Sequence, residues 1–226
     1  MKPLTTAEKR RTEVLRINEM FHSVQGESSR AGEPCVFVRL TGCGLRCTYC
    51  DTEYAFYEGV DRSIDDVVAE VTHFGTRLVE ITGGEPLEQE AVYQLMESLL
   101  EQGFDLMLET GGHMDISRVD TRVKRIVDLK TPASGMMHRN DYHNVDRLTP
   151  HDEIKFVIAD RTDYEWAREQ ITERRLAERC GHILLSPVHG SLALNDLASW
   201  ILEDHLPVKM QVQLHKLIWP AAMRGV

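Results

Sequence analysis

Hydrophobic residues recur along this chain in two alternating patterns. Short runs rich in β-branched and aliphatic residues predict strands, and between most of them apolar residues recur at the three- and four-residue spacing of a helix. The clearest helix covers residues 88–102, and Gly103 follows it as a helix-ending glycine. Ser63 is the predicted N-cap of a second helix that reaches residue 74. The predicted strands cover residues 36–40, 78–82, 105–109, 125–129, 154–159, 182–186 and 208–214, and further helices cover residues 161–180 and 192–205.

Strands that alternate with helices predict parallel β/α units. Right-handed crossovers place all the helices on one side when such a sheet curls toward a barrel. A complete eightfold barrel takes about 250 residues, whereas this chain has 226. We therefore predict an α/β fold that is an incomplete, open parallel β/α barrel, formed by residues 1–226 as one domain with a flexible leader over residues 1–13.

Composition narrows the classes of function. The chain has 26 Lys and Arg against 36 Asp and Glu, a formal net charge of −10, and no extended basic cluster. Such a charge opposes binding to a phosphate backbone, so we expect small-molecule substrates and no nucleic acid. No run reaches the roughly 18 apolar residues of a membrane-spanning helix. The N-terminal segment also lacks the apolar core of a signal peptide, so we expect no membrane partner and a cytoplasmic protein.

Three of the five cysteines fall close together, directly after a predicted strand. They are Cys43, Cys47 and Cys50, and three thiolates on one loop can converge on a metal centre. A [4Fe–4S] cube needs four ligands, so a cube with three protein thiolates keeps one iron open for a substrate or cofactor. A zinc site that adds His22 or His215 is an alternative, and three buried thiols without a metal are another.

The cysteine spacing C-x3-C-x2-C, with Tyr49 just before the last cysteine, resembles the cluster loop of radical S-adenosylmethionine (SAM) enzymes. The motif ITGGEP at residues 81–86 is similar to their element whose backbone meets the methionine end of SAM, although taken alone it could be an ordinary turn. The resemblance implies an open barrel of the radical SAM type and a [4Fe–4S] cluster on Cys43, Cys47 and Cys50. The residues it implies in SAM binding are Tyr49, Cys50, Asp51, Gly84, Asp128, Leu129 and Lys130.

The resemblance narrows to the 7-carboxy-7-deazaguanine synthase family. It rests on residues 17–27, 36–43, 50–52, 109–112, 130–136 and 213–216. It implies a carbon–nitrogen lyase that converts 6-carboxy-5,6,7,8-tetrahydropterin to 7-carboxy-7-deazaguanine with release of ammonia, in the biosynthesis of queuosine and other 7-deazapurines. It also implies Mg²⁺ as a cofactor, a homodimer, and a flavodoxin or ferredoxin as the electron donor.

The same resemblance implies roles outside the cluster loop. Thr52 matches a magnesium contact, and the alternative for it is a strand-end or capping hydroxyl. Arg39 lies in the apolar run VFVRL, where a charge is costly without a partner, and that partner is either a substrate carboxylate or a protein acid. Gln25 offers a donor and an acceptor to a ring edge. The residues implied in substrate binding are Val24, Gln25, Gly26, Glu27, Arg39, Thr82 and His215, the last of them in the final predicted strand.

Two features qualify this interpretation. The segment at residues 128–130 reads DLK where many relatives have SPK, and Pro220 is followed by AAMRGV where some relatives end in a proline whose carboxylate reaches the substrate. Two other classes also stay open: a radical-enzyme activase that shares the cysteine loop, and an electron carrier or zinc-stabilised interaction protein. Most candidate residues nevertheless lie at or just past the carboxyl end of a predicted strand, and in a parallel barrel those ends form one rim.

Overall fold

One mixed sheet organises the chain in the computed structural model, which describes residues 13–226. Within those residues the strand order is β3-β1-β2-β4-β5-β6-β7-β8-β9. The strands are β1 (Val14–Val24), β2 (Pro34–Leu40), β3 (Val60–Ser63), β4 (Leu78–Gly83), β5 (Asp105–Thr110), β6 (Lys124–Asp128), β7 (Glu153–Ile158), β8 (His182–Pro187) and β9 (Lys209–Met210).

Most of this sheet is parallel, and it stays open. Every neighbouring pair from β2 to β9 is parallel, whereas β1 pairs antiparallel with both β2 and β3. The two outer strands, β3 and β9, do not pair with each other. The predicted α/β fold with an incomplete barrel is therefore confirmed. That residues 1–226 form one domain stays a prediction, and residues 1–12 of the predicted leader lie outside the described residues.

Helices follow several of the strands. Ser63 caps the first of them as predicted, because its Oγ accepts the backbone N–H of Asp66 at 3.1 Å, and Gly103 adopts the left-handed φ of 80° expected of a helix-ending glycine. No helix in residues 13–226 is long and apolar enough to cross a bilayer. The helices are α1 (Ile64–His73), α2 (Val92–Glu101), α3 (Arg161–Glu173), α4 (Leu194–Glu203) and α5 (His215–Ile218).

Some sequence-based elements need correction. The predicted strand over residues 208–214 is wrong beyond β9, since only Lys209 and Met210 pair with β8, and His215 begins α5 instead of lying in a strand. The predicted helix over residues 161–180 ends earlier, at Glu173, because Arg175 adopts a left-handed φ of 52°. The antiparallel strands β1 and β3 were not predicted, because their polar residues interrupt the apolar pattern.

The two faces of the sheet differ because successive strand residues point to opposite sides. On β2, Val36 and Val38 belong to the large apolar cluster that also contains residues of α1 and α2. The alternate residues Cys35 and Phe37 form a small apolar cluster with Leu78, Met107 and Ile126 on the other face. Further along the same strands, that inner face becomes polar. Its inward positions there are Arg39, Glu80, Thr82, Glu109, Asp128 and Lys155.

Candidate active site

A cavity of about 910 Å³ opens at the carboxyl ends of the parallel strands. Its walls are the polar part of the inner face, the loop after β2, the turns after β4 and β5, α5 and the C-terminal segment. All but one of the predicted site residues line this cavity: Val24, Gln25, Gly26, Glu27, Arg39, Cys43, Cys47, Tyr49, Cys50, Asp51, Thr52, Thr82, Gly84, Asp128, Lys130 and His215. The exception is Leu129, whose side chain is fully buried in the outer core and whose backbone N–H donates to the carbonyl of Lys155 at 2.9 Å.

The loop that carries the three cysteines is fixed by neighbouring segments. The N–H of Thr48 donates to the carbonyl of Ser134 at 3.1 Å, and its hydroxyl donates to the carbonyl of Ala133 at 2.6 Å. At the start of the loop, the N–H of Gly44 donates to Glu88 Oε1 at 2.8 Å. The long connection after β6 therefore packs against the cysteine loop and orders it.

The cysteine thiols suit a cluster better than a single metal ion. All three are free, partly buried and directed at the same cavity. In residues 13–226 no three His, Cys, Asp or Glu side chains are arranged to hold one ion. A zinc site needs four donors about 2.0–2.3 Å from one point, whereas a [4Fe–4S] cube binds each thiolate through a different iron and tolerates wider spacing. His22 is not placed to complete a zinc site with these cysteines, because it hydrogen-bonds the hydroxyl of Thr76 at 2.7 Å and does not line the cavity.

Burial keeps these thiols protonated in the absence of a metal. It raises the pKa of Cys43 to about 11 and also raises the pKa of Cys47 and Cys50. Metal ligation requires the thiolate, so iron binding must displace these protons. Three partly buried thiols on one ordered loop are the donor set that a three-cysteine cluster needs.

The residues predicted to contact SAM include one unsatisfied acceptor. The ammonium of Lys130 donates to Asp128 Oδ2 at 2.7 Å, and Asn140 holds the backbone of Lys130 through two hydrogen bonds of 2.9 Å. Asp128 Oδ1 is buried and has no hydrogen-bond partner in the described chain. Such an atom costs about 1–3 kcal/mol until a donor reaches it. The ammonium and ribose hydroxyls of SAM are donors of this kind, so the residues present fit the cofactor.

The glycine pair of ITGGEP allows the cysteine loop and the β4 turn to touch. A Cβ on Gly84 would collide with the carbonyl oxygen of Gly42 and lie 3.1 Å from Cys43 Cβ. The sequence predicted close backbone approach to a ligand, and the contact seen here is with the protein's own cysteine loop. The next residue, Glu85, is fully buried and accepts the N–H groups of Leu87 at 3.1 Å and Gly111 at 2.7 Å. This part of the motif therefore ties the turns after β4 and β5 together.

Asp51 and Thr52 lie on the other side of the cysteine loop. The Lys216 ammonium donates to Asp51 Oδ2 at 2.6 Å, Gln213 donates to the same oxygen at 3.0 Å, and the Thr52 hydroxyl donates to Oδ1 at 3.0 Å. Burial acts to raise the pKa of Asp51, but the Lys216 charge and these hydrogen bonds outweigh it and hold that pKa well below its usual value. Thr52 makes no helix-capping hydrogen bond, so its capping alternative is not realised.

Gln25 is used differently from the expectation. Its Nε2 donates to Glu80, and its Oε1 accepts the backbone N–H of Glu27 at 2.9 Å. The side-chain amide thus orders the loop after β1 instead of presenting a free donor and acceptor to a ligand. Burial, followed by the nearby charge of Glu109, raises the pKa of Glu80 to about 8, so this carboxyl is mostly protonated at neutral pH.

A buried lysine that the sequence analysis missed lies on the polar inner face of the sheet. Lys155 on β7 donates to Glu27 Oε2 at 2.9 Å and to Glu109 Oε1. Gln213 also donates to Glu27, at 2.9 Å, so hydrogen bonds within the chain hold this carboxylate in place. The signal that singled out Arg39, a charge within a buried apolar run, was equally present for Glu80 in LVEIT and for Lys155 in EIKFVI.

Arg39 and His215 both line the cavity. The Nε of Arg39 donates to Glu19 Oε1 at 2.8 Å. Glu19 is therefore the protein acid that the sequence analysis offered as the alternative partner of Arg39. Burial lowers the pKa of His215, which keeps the imidazole neutral near pH 7. The ring packs against the loop after β1 so closely that a Cβ on Gly26 would collide with its Nδ1.

Comparison with known proteins identifies the class and then the family. The radical SAM superfamily model matches residues 37–175. The 7-carboxy-7-deazaguanine synthase of Koribacter versatilis is 45% identical over 226 residues, covering 94% of this chain and 100% of that protein. The synthase of Chlorobaculum tepidum is also 45% identical, covering 94% and 97% respectively. These matches place the chain in the radical SAM superfamily, whose [4Fe–4S] cluster and SAM were the predicted cofactors. Within it, the chain belongs to the 7-carboxy-7-deazaguanine synthase family.

Solved structures support the fold. The crystal structure of QueE from Escherichia coli matches with a TM-score of 0.77 at 22% sequence identity, covering 95% of this chain and 100% of that one. SuiB from Streptococcus suis matches with a TM-score of 0.54 at 12% identity, covering 76% of this chain and 47% of its own. At these identities the likeness concerns the open barrel and not the substrate.

Proposed function

We propose that this chain is a radical SAM lyase that converts 6-carboxy-5,6,7,8-tetrahydropterin to 7-carboxy-7-deazaguanine and ammonia, a step in queuosine and 7-deazapurine biosynthesis. The observation that carries the proposal is the convergence of two residue sets in one cavity. The three free thiols line this cavity, and so do the predicted substrate residues, among them Arg39, Thr82 and His215. An activase or an electron carrier does not require that second set.

The chain's own residues bind and orient the reactants. Cys43, Cys47 and Cys50 would hold the cluster, and Lys130 with Asp128 would meet SAM in the same cavity. Together the cluster and SAM supply the one-electron chemistry that removes a hydrogen atom from the pterin. The protein fixes the reacting groups in one orientation and excludes water, which supplies much of an enzyme's advantage over solution.

The charges of the cavity match a carboxylated pterin. Arg39 offers a cation for the carboxylate, and Glu27 and Glu109 offer acceptors for the guanidine-like edge of the ring. Lys155 neutralises part of the negative charge that these two acids would otherwise place beside an anionic substrate. His215 is neutral near pH 7 and adds no further charge.

Magnesium binding at Thr52 is a finer part of the proposal. One hydroxyl is a weak site by itself, and Mg²⁺ prefers six oxygen ligands while keeping several waters. We infer that Thr52 contributes one oxygen and that the substrate and water contribute the others. A site of this kind would form only when the substrate is bound, so magnesium affinity should rise when the pterin is added.

The partners follow from the family and stay proposals. We infer a homodimer, a flavodoxin or ferredoxin as the electron donor, and a cytoplasmic location. The formal net charge of −10 supports a small-molecule substrate over a nucleic acid. Light scattering of the reconstituted enzyme would test the dimer, since a monomer mass at micromolar concentration would contradict it.

Turnover tests the function directly. The protein is reconstituted anaerobically with iron and sulfide and supplied with SAM, Mg²⁺, dithionite and 6-carboxy-5,6,7,8-tetrahydropterin. We expect mass spectrometry to detect 7-carboxy-7-deazaguanine, and expect the Cys47→Ala variant to make none. Cys180→Ala is the matched control, because this buried cysteine does not line the cavity. Cleavage of SAM without consumption of the pterin would remove the substrate assignment and leave the radical chemistry standing.

A further inference from the structure

The guanidinium of Arg39 is held at one edge only. Its Nε donates to Glu19 Oε1 at 2.8 Å, and within residues 13–226 no other hydrogen bond of this guanidinium is found. The side chains of Arg39 and Glu19 are 17% and 19% exposed, and both line the cavity. The two terminal nitrogens of Arg39 are therefore left for a ligand, in the fork geometry that binds a carboxylate through two parallel hydrogen bonds.

Glu19 is itself held in place by a second residue. The hydroxyl of Tyr54 donates to the same Oε1 atom at 2.9 Å. Glu19 lies on β1, Arg39 on β2 and Tyr54 in the short turn after the cysteine loop, so the contact joins three segments of the chain. One carboxylate oxygen thus accepts two hydrogen bonds whose donors come from different segments, and this restricts the rotamer of Arg39.

Arg224, in the C-terminal segment, contacts Tyr54 in turn. The guanidinium of Arg224 lies 3.6 Å from the centroid of the Tyr54 ring. The same guanidinium donates to Glu58 Oε2 at 2.8 Å. The face of an aromatic ring attracts a cation, so this contact helps to hold the Tyr54 ring between Arg224 and Glu19. Arg224 and its neighbours also line the cavity.

We propose that Glu19 and Tyr54 are positioning residues, which fix Arg39 through its Nε so that its two terminal nitrogens receive the carboxylate of the substrate. This inference rests on the proposed function, since it assigns the pterin carboxylate to Arg39. Glu19 does not touch the substrate in this account and acts through Arg39. Tyr54 supports Glu19, and Arg224 supports Tyr54.

An opposing effect makes the inference testable. Glu19 carries a negative charge close to Arg39, and by Coulomb's law alone it weakens the attraction of Arg39 for a second carboxylate. If Glu19 acted only through its charge, its removal would strengthen carboxylate binding. If Glu19 acts by fixing the guanidinium, its removal weakens carboxylate binding, because a mobile arginine must be ordered by the ligand.

The test compares two ligands on the cluster-loaded enzyme with SAM and without reductant, so that no turnover occurs. Dissociation constants are measured by anaerobic calorimetry for 6-carboxytetrahydropterin and for tetrahydropterin, which lacks the carboxylate. The dissociation constant for tetrahydropterin divided by that for 6-carboxytetrahydropterin reports carboxylate recognition and cancels effects on the rest of the pocket. The matched control is Asp61→Asn, which removes an exposed carboxylate on the strand beside β1.

We expect Glu19→Ala to reduce this ratio by about tenfold, the lower end for a hydrogen bond to a charged group. Glu19→Gln should keep the ratio within about threefold of wild type, because its amide oxygen still accepts from Nε. Tyr54→Phe should fall between them, and Asp61→Asn should match wild type. Iron content equal to wild type confirms that each variant is folded.

A ratio that stays unchanged or rises in Glu19→Ala would overturn the inference. Arg39→Gln separates it from the proposed function: if that variant keeps the full ratio, Arg39 does not bind the carboxylate and the positioning role falls with it. If the wild-type enzyme makes no 7-carboxy-7-deazaguanine while the ratios behave as expected, the proposed reaction fails and the positioning of Arg39 stands.

Discussion

Lys155 offers the sharpest test of the charge arrangement in the cavity. Its side chain is 8% exposed, and its ammonium contacts the carboxylates of Glu27 and Glu109, whose side chains are 18% and 26% exposed. The perturbation is Lys155→Met, which keeps most of the side-chain volume and removes the charge. Removing one partner of a buried ion pair costs about 3–5 kcal/mol. Because the carboxylates face a cavity, we expect the lower part of that range, about 3 kcal/mol of unfolding free energy near pH 8.

The loss should depend on pH in a defined direction. In the wild-type chain burial acts to raise the pKa of Glu109, but the Lys155 charge outweighs it and holds that pKa below its usual value. Without the lysine, the smaller effects of the Lys130 and Arg39 charges remain. We expect burial to outweigh them and raise the pKa of Glu109 above that of the unfolded chain. The folded variant then binds a proton that the unfolded chain does not. The loss of unfolding free energy relative to wild type should therefore shrink as pH falls. Between the folded-state and the unfolded-state pKa of Glu109 it should shrink by about 1.4 kcal/mol per pH unit.

The assay is urea unfolding of the metal-free protein under reducing conditions, at about pH 8 and about pH 6, where the linkage above predicts different deficits. The matched control is Lys209→Met on β9, an exposed lysine for which the described residues show no ion pair. Lys155→Met combined with Glu109→Gln should recover part of the loss, since it removes an uncompensated charge. An equal deficit at the two pH values, or one below about 1 kcal/mol at both, would refute this account of the network.

Two further predictions concern the cysteine loop and the outer core. Gly84→Ala should displace the cysteine loop and lower the iron bound after reconstitution, measured by metal analysis, while Gly190→Asn, at an open left-handed position, should bind iron as wild type does. Equal iron in both would show that the close packing at Gly84 is not needed. Arg125→Met should lower the unfolding free energy by about 3–5 kcal/mol, because it strands the buried carboxylate of Asp152. Arg118→Met, at an exposed pair, should cost less than about 1 kcal/mol, and a similar loss in the two variants would contradict the argument from burial.

The parallel part of the sheet could be predicted because its strands carry strong apolar runs. Buried parallel strands such as β4 and β7 consist mainly of β-branched and aliphatic residues, and the rim at their carboxyl ends followed from topology. The antiparallel edge was harder to predict. β1 has only partly buried residues along most of its length, so its pattern resembles a polar loop. Its pairing with β2 depends on contacts distant in sequence, which periodicity does not report.

The site could be predicted as a set of residues but not as a set of contacts. The residues that the cysteine spacing and the family motifs singled out all line the cavity except Leu129. They did not show that the amide of Gln25 is used by Glu80 and by the backbone of Glu27, or that Arg39 shares Glu19 with Tyr54. Three of these contacts, Gln25 with Glu80, Arg39 with Glu19 and Tyr54 with Glu19, join residues 20 or more positions apart in sequence.

The most direct test of the central claim follows one hydrogen atom through the cavity. The reconstituted enzyme is given 6-carboxy-5,6,7,8-tetrahydropterin deuterated at C6, and the product and the SAM pool are analysed by mass spectrometry. If the cluster bound by the three cysteines and the predicted substrate residues act on one bound pterin, 7-carboxy-7-deazaguanine forms and deuterium passes from C6 to the adenosyl group of SAM. A fully loaded cluster that yields neither product nor deuterium transfer would contradict the claim.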